Sequence, residues 1–166
     1  MTAAAPCWAM DDIGPQLGVL LSTAYAMLLG GVVGFERELK NRPAGFRTHM
    51  LVAGAAALLV GMAPLMLAPY SGATGTILRI DPLRLVEAVV AGVGFIGAGT
   101  ILGQRHGRQV TGLTTAASLL MVAIIGIAAG LHQYVLAPAA TGLTLLVLFV
   151  LSRLEGRLPR RGGDDS

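Results

Sequence analysis

Five long apolar runs constrain this 166-residue chain more than anything else in it: residues 16–35, 50–68, 85–102, 113–131 and 135–152. Each holds 18 to 20 residues, and a helix of about 20 residues, rising 1.5 Å per residue, crosses a hydrocarbon core of about 30 Å. A water-soluble core has no use for five such segments. Only 13% of the residues are charged, against about a quarter in soluble domains. The expected fold is therefore an all-α integral membrane protein, a bundle of five transmembrane helices over residues 16–152. An outer segment, residues 1–15, precedes the bundle, and a basic tail, residues 153–166, follows it. Residues 1–15 contain no Lys or Arg, unlike a secretory leader, so the first run is read as a retained span.

The basic residues set the expected orientation. Arg37, Lys40, Arg42, Arg47, Arg105, Arg108, Arg153, Arg157, Arg160 and Arg161 fall in connections on one side, and Arg79 and Arg84 on the other. By the positive-inside rule the N-terminus is outside and the tail cytoplasmic. The net charge of +3 then reflects topology and contact with membrane lipid. No aromatic-studded basic domain exists, so no nucleic-acid partner is expected. The single cysteine, Cys7, excludes an intrachain disulfide.

The third run is glycine-dense (VVAGVGFIGAGTILGQ, residues 89–104). At about 100° per residue Ala88, Gly92, Gly99 and Gly103 share one side, and Gly94 and Gly97 lie opposite. Small residues let membrane helices approach closely, so this span is expected at the centre of the bundle. Gly30-Gly31-Val-Val-Gly34 and Gly126-Ile-Ala-Ala-Gly130 offer further small faces, for packing within the chain, for a homodimer or higher oligomer, or for a membrane partner. Asp81-Pro82 suits a helix start, with Asp81 as cap and Pro82 at the first helical position. A faint echo joins AGFRT (residues 44–48) to TGLTT (residues 111–115), and Gly30 to Gly97, at an offset of 67. It suggests a parallel repeat of two helical hairpins.

Groups able to do chemistry are few. Gly92-Val-Gly94-Phe-Ile-Gly97 satisfies GxGxxG, but within an apolar span and without a βαβ unit it carries no nucleotide-binding meaning. No HExxH, metal-ligand spacing or GxSxG elbow occurs, so no enzyme is expected. Glu36 and Arg37 end the first span, and Arg47, Thr48 and His49 open the second. A Glu36–Arg47 ion pair would clasp that hairpin, or Glu36 would be a carboxylate entrance for a cation. Glu87 lies one turn inside the third span, close enough to Arg84 to pair with it, and an ionisable group in a span is a functional-site candidate. Glu36 and Glu87 belong to opposite membrane surfaces, about 20–25 Å apart, and cannot share one metal. Thr111, Thr115 and Ser118 share a face of the fourth span, with Thr114 beside them. Their hydroxyls either bond back to their own helix or line the inner mouth of a cavity.

GGVVGFERE (30–38), AGFRTHMLV (44–52), Asp81-Pro82-x-Arg84, VVAGVGFIGAGTI (89–101) and VTGLTTAASL (110–119) resemble, in order and spacing, the MgtC/SapB family of bacterial membrane proteins. The resemblance implies a five-span protein of the bacterial inner membrane linked to Mg²⁺ homeostasis, often labelled a Mg²⁺ transporter. For some members it implies instead a regulator of another membrane complex, the proton-driven ATP synthase. It marks Glu36, Arg37, Arg47, Thr48, Arg84, Gly92, Gly94, Gly97, Gly99, Gly112, Thr114 and Thr115 as motif positions. Glu87 matches no family position, and Asn and Gln are common in members where Thr114 and Ala88 stand. Many members continue into a soluble C-terminal domain; this chain reads as a short form without it. The ion-pathway candidates are thus Glu36, Glu87, Thr114, Thr115 and Ser118, with Glu36 the candidate metal ligand. No tightly bound cofactor is expected, and Mg²⁺ enters as substrate or effector. Mg²⁺ keeps several of its waters and needs few carboxylates, so these groups could handle a hydrated ion without a full cage.

Overall fold

A computed structural model describes residues 13–67, 81–102 and 112–155, all side chains included except those of Leu67, Pro82, Leu151, Ser152, Leu154 and Glu155. Five helices follow in order: α1 (Ile13–Leu39), α2 (Phe46–Leu67), α3 (Pro82–Leu102), α4 (Leu113–Gly130) and α5 (Leu136–Glu155). No strand occurs among the described residues. The first four are long and apolar enough to cross a membrane. The apolar part of α5, Leu136–Val150, is shorter, but the helix itself runs 20 residues. The chain is a multi-pass membrane protein. Residues 1–12, 68–80, 103–111 and 156–166 lie outside the described residues, and with them most of the expected outer segment 1–15 and tail 153–166.

Local signals explain the helix ends. Asp81 Oδ1 accepts the Leu83 N–H at 3.0 Å, the expected cap over Pro82. At the other end of the bundle α1 runs four residues past its apolar stretch to Leu39. Glu36 and Lys40 pair one turn apart on this extension, a spacing that supports a helix. Asn41, at φ 50°, then turns the chain out. Arg42 N–H bonds Arg37 O and Asn41 N–H bonds Glu38 O, both at 3.0 Å, the paired closure of a Schellman motif. His132, at φ 61°, ends α4 in the same way: its N–H bonds the Ala129 carbonyl and the Gln133 N–H bonds the Ala128 carbonyl. The expected short turn at 132–134 is present. Helix α2 begins at Phe46, four residues before its apolar run, because the Glu38 carboxylate accepts the Phe46 N–H at 2.8 Å.

The centre of the bundle is α4, not α3. Helix α4 packs against all four others, whereas α3 leans on α4 and only slightly on α2. Of the spanning segment of α4, 61% is buried, against 17% for α3. The decisive contacts are glycines laid on a neighbour's backbone. A Cβ on Gly126 would overlap the Ala53 carbonyl oxygen, and one on Gly130 would lie 2.6 Å from that of Ala57. Between α1 and α2, a Cβ on Gly30 would lie 2.6 Å from the His49 carbonyl oxygen, and one on Gly34 2.8 Å from Phe46 Cα. Gly30, Gly34, Gly126 and Gly130 are thus used within the chain. Gly92, Gly94 and Gly99 have nothing within 4 Å where a Cβ would sit, which corrects the expectation that they gather the bundle.

The echo between hairpins has a structural counterpart. Gly30 sits on His49, and Gly97 sits on Ala116, 3.2 Å from its Cβ; both pairs keep the offset of 67. Val52, Ala56 and Val60 of α2 share one core cluster with their equivalents Leu119, Ala123 and Ile127 of α4. The two hairpins therefore meet through corresponding faces.

Candidate polar site where α1, α2 and α4 meet

One buried polar group of side chains joins three helices near the α1–α2 connection. Arg37, in the last turn of α1, is 3% exposed, and its Nη2 donates to Thr115 Oγ1 of α4 at 3.0 Å. Three residues on, Ser118 Oγ lies 2.8 Å from the Thr115 carbonyl oxygen and 3.1 Å from His49 Nε2 of α2. His49 is wholly buried. Its Nδ1 lies 2.9 Å from the Gly45 carbonyl oxygen, which can only accept, so Nδ1 carries the proton. Nε2 of the neutral ring then accepts the Ser118 hydroxyl. Ser118 has one proton for two acceptors, and it can turn between the histidine and its own helix carbonyl.

The geometry follows from the packing. Gly30 and Gly34 bring α1 onto the first turns of α2, which sets Arg37 and His49 on neighbouring helices facing α4. Gly112, at φ 95°, is the N-cap of α4. A Cβ there would lie 2.9 Å from the Thr100 carbonyl oxygen, so only glycine suits both the turn and the contact with α3. That turn aims Thr115 and Ser118 inward, where both are buried.

The expected site residues divide clearly. Arg37, Thr115 and Ser118 come together, with Thr48 half-buried nearby in sequence to His49. Glu36 does not clasp Arg47. Its carboxylate pairs with Lys40, because α1 stays helical and puts Lys40 one turn away, while Arg47 is exposed. Beyond that ion pair neither of the enclosed Glu36 oxygens has a hydrogen-bond partner, and the Lys40 ammonium also donates to the Leu148 carbonyl at 3.3 Å. Thr114 is exposed and lines a cleft of about 280 Å³ between α4 and α5 with Ser118 and Thr144. Glu87 and Arg84 are both exposed on α3 and form no ion pair; Glu36–Lys40 is the one ion pair among the described residues. No cluster of three or more His, Cys, Asp or Glu able to hold a metal occurs among the described residues. Of the hydroxyls, Ser118 bonds back to its own helix and lines the α4–α5 cleft with Thr114, whereas Thr115 accepts from Arg37.

The sequence profile of the MgtC family matches residues 23–157. The chain belongs to the MgtC family. Among its relatives are SrpB of Synechococcus elongatus, 40% identical over 149 residues, covering 86% of this chain and 79% of SrpB. MgtC of Salmonella typhimurium is 38% identical over 139 residues, 84% of this chain and 54% of MgtC. YhiD of Escherichia coli (strain K12), named a candidate magnesium transporter, is 38% identical over 144 residues, 84% of this chain and 63% of YhiD. The chain thus spans just over half of MgtC and somewhat under two thirds of YhiD. No solved structure matches it.

His49, one residue before the second apolar run, is the member of the site that no sequence motif singles out. The signal is Glu38, eight residues before Phe46 across Pro43-Ala44-Gly45, a carboxylate able to start α2 before His49.

Proposed function

We propose that this MgtC-family chain serves Mg²⁺ homeostasis in the bacterial inner membrane as a non-conducting protein that binds another membrane complex. The Arg37 end is taken as cytoplasmic, by the positive-inside rule. The observation that carries the reading is the buried guanidinium on Thr115. The hydroxyl face offered by Thr115 and Ser118 as the mouth of an ion path is occupied by a positive charge. A divalent cation 4 Å from it would be opposed by about 8 kcal/mol at an effective dielectric constant of about 20. Beyond that mouth the interior is filled by Leu119, Val122, Ala123 and Ile125, each wholly buried. Glu36, the candidate metal ligand beside Arg37 in sequence, is already paired with Lys40.

The docking reading uses α3, the spanning helix with the least buried surface. Its open Gly92, Gly94 and Gly99 expose backbone that a partner's helix can approach closely. The proton-driven ATP synthase, which the resemblance implies for some members, is one complex to test as partner. The deciding experiment is Mg²⁺ flux into liposomes containing only this protein, with Glu36→Gln in parallel. The expected result is no flux above empty liposomes for either protein, and co-purification of a membrane complex from cells. Flux that Glu36→Gln abolishes would establish transport instead.

A further inference from the structure

Arg37 is a buried positive charge that makes no ion-pair contact among the described residues. Its Nη2 donates to a neutral hydroxyl, and its Nε is enclosed with no acceptor. The carboxylates in its neighbourhood are committed elsewhere, Glu36 to Lys40 and Glu38 to the Phe46 N–H. The hydroxyl it holds belongs to the first turn of α4, an 18-residue helix whose N-cap, Gly112, offers no side-chain acceptor to the leading N–H groups. A helix N-terminus carries a partial positive charge. A guanidinium against that pole has the wrong sign, and burial makes the mismatch costly. The sequence joining α3 to α4, residues 103–111, adds Arg105 and Arg108 and contains no Asp or Glu.

We propose that Arg37 and the first turn of α4 form a binding site for a phosphate group. Free N–H groups at a helix N-terminus present donors to such an anion. The guanidinium supplies a planar fork that fits two phosphate oxygens, with full charge. Thr115 orients that fork through the Nη2 bond. Arg37 lies at the end of α1, so the group reaches it from the membrane surface and not through the apolar core. At that surface the phosphate comes either from an anionic lipid headgroup or from a soluble phosphate compound, and the chemistry of the site is the same for both.

The test is thermal unfolding of the full chain reconstituted in phosphatidylcholine nanodiscs, with inorganic phosphate against chloride at equal ionic strength. A second arm replaces part of the lipid by phosphatidylglycerol. The wild type is expected to gain about 3 °C or more in one arm at a concentration well above Kd. A gain with inorganic phosphate identifies a soluble phosphate as the source, and a gain with phosphatidylglycerol alone identifies the headgroup. Arg37→Met is expected to lose the gain and, with neither ligand, to melt no lower than the wild type, since it removes an unbalanced charge. Thr115→Val keeps the guanidinium but frees its fork, and is expected to reduce the gain. If Arg37→Met does not fold, ³¹P line broadening of phosphate or lipid by wild type against Thr115→Val makes the same comparison. No gain in either arm, or an equal gain in wild type and Arg37→Met, which would mean an adventitious ion only, overturns the proposal.

Discussion

Helices α3 and α4 make an instructive pair. Helix α3 is the richer in glycine, with Gly92, Gly94, Gly97 and Gly99, yet of these Gly97 alone has a neighbour where a side chain would be. Helix α4 has two glycines, Gly126 and Gly130, and both lie on the backbone of α2. Close packing of membrane helices therefore depends on where a missing Cβ points and on what small residue faces it. Ala53 and Ala57, one turn apart on α2, are the complement of Gly126 and Gly130, also one turn apart. Nothing among the described residues offers a comparable complement to Gly92 and Gly99. The helix with fewer glycines is the axis, and the helix with more is the rim.

Substitutions along the two helices should separate them sharply. The largest effect is expected from Gly126→Leu, whose Cβ would overlap the Ala53 carbonyl. Overpacking of a tight contact costs about 1–3 kcal/mol and more where backbone must move, so this variant should lose the monodisperse folded peak in size-exclusion chromatography. Gly30→Ala comes next, pressing on the His49 carbonyl and the Ala53 Cβ. Its unfolding in mixed detergent should be easier by about 1–3 kcal/mol. Thr115→Val should follow at about 1–3 kcal/mol, because Arg37 then loses its one acceptor while staying buried; denaturant titration reads it directly. Gly97→Ala meets Ala116 at 3.2 Å, and a shift of a few tenths of an ångström accommodates it, so it should fall below about 1 kcal/mol. Gly94→Ala, with open space around it, should be the smallest, and neutral or slightly stabilising by up to about 1 kcal/mol through helix propensity. If Gly94→Ala proved as damaging as Gly30→Ala in the isolated protein, the distinction between rim and axis would fail.

Much of the fold was legible because bilayer thickness fixes how long an apolar run must be. Asp81-Pro82 was equally legible, since capping depends only on the residues at the turn. The α1–α2 connection was not. The run ERELK reads as a polar loop by hydropathy, but Glu36 and Lys40 support one another and the helix continues. That moves Glu36 beside Lys40 and away from Arg47. His49 was hidden for the same reason: the apolar run starts at Met50, while the helix starts where Glu38 caps it. Thr115 and Ser118 were found from their shared face. What they bond to depends on Arg37 and His49, which arrive from two other helices. The centrality of α4 was the least legible feature, because the residues that create it lie on α2.

The central claim is that α4 lies inside and α3 at the edge. The direct measurement is oxygen accessibility of nitroxide labels at Ala123→Cys and Phe95→Cys, each in a Cys7→Ser background in lipid bilayers. Ala123 is wholly buried and Phe95 is 83% exposed, so the label at 95 should be mobile and accessible to oxygen and the label at 123 immobile and shielded. Equal accessibility at the two positions, or the reverse order, would contradict the account.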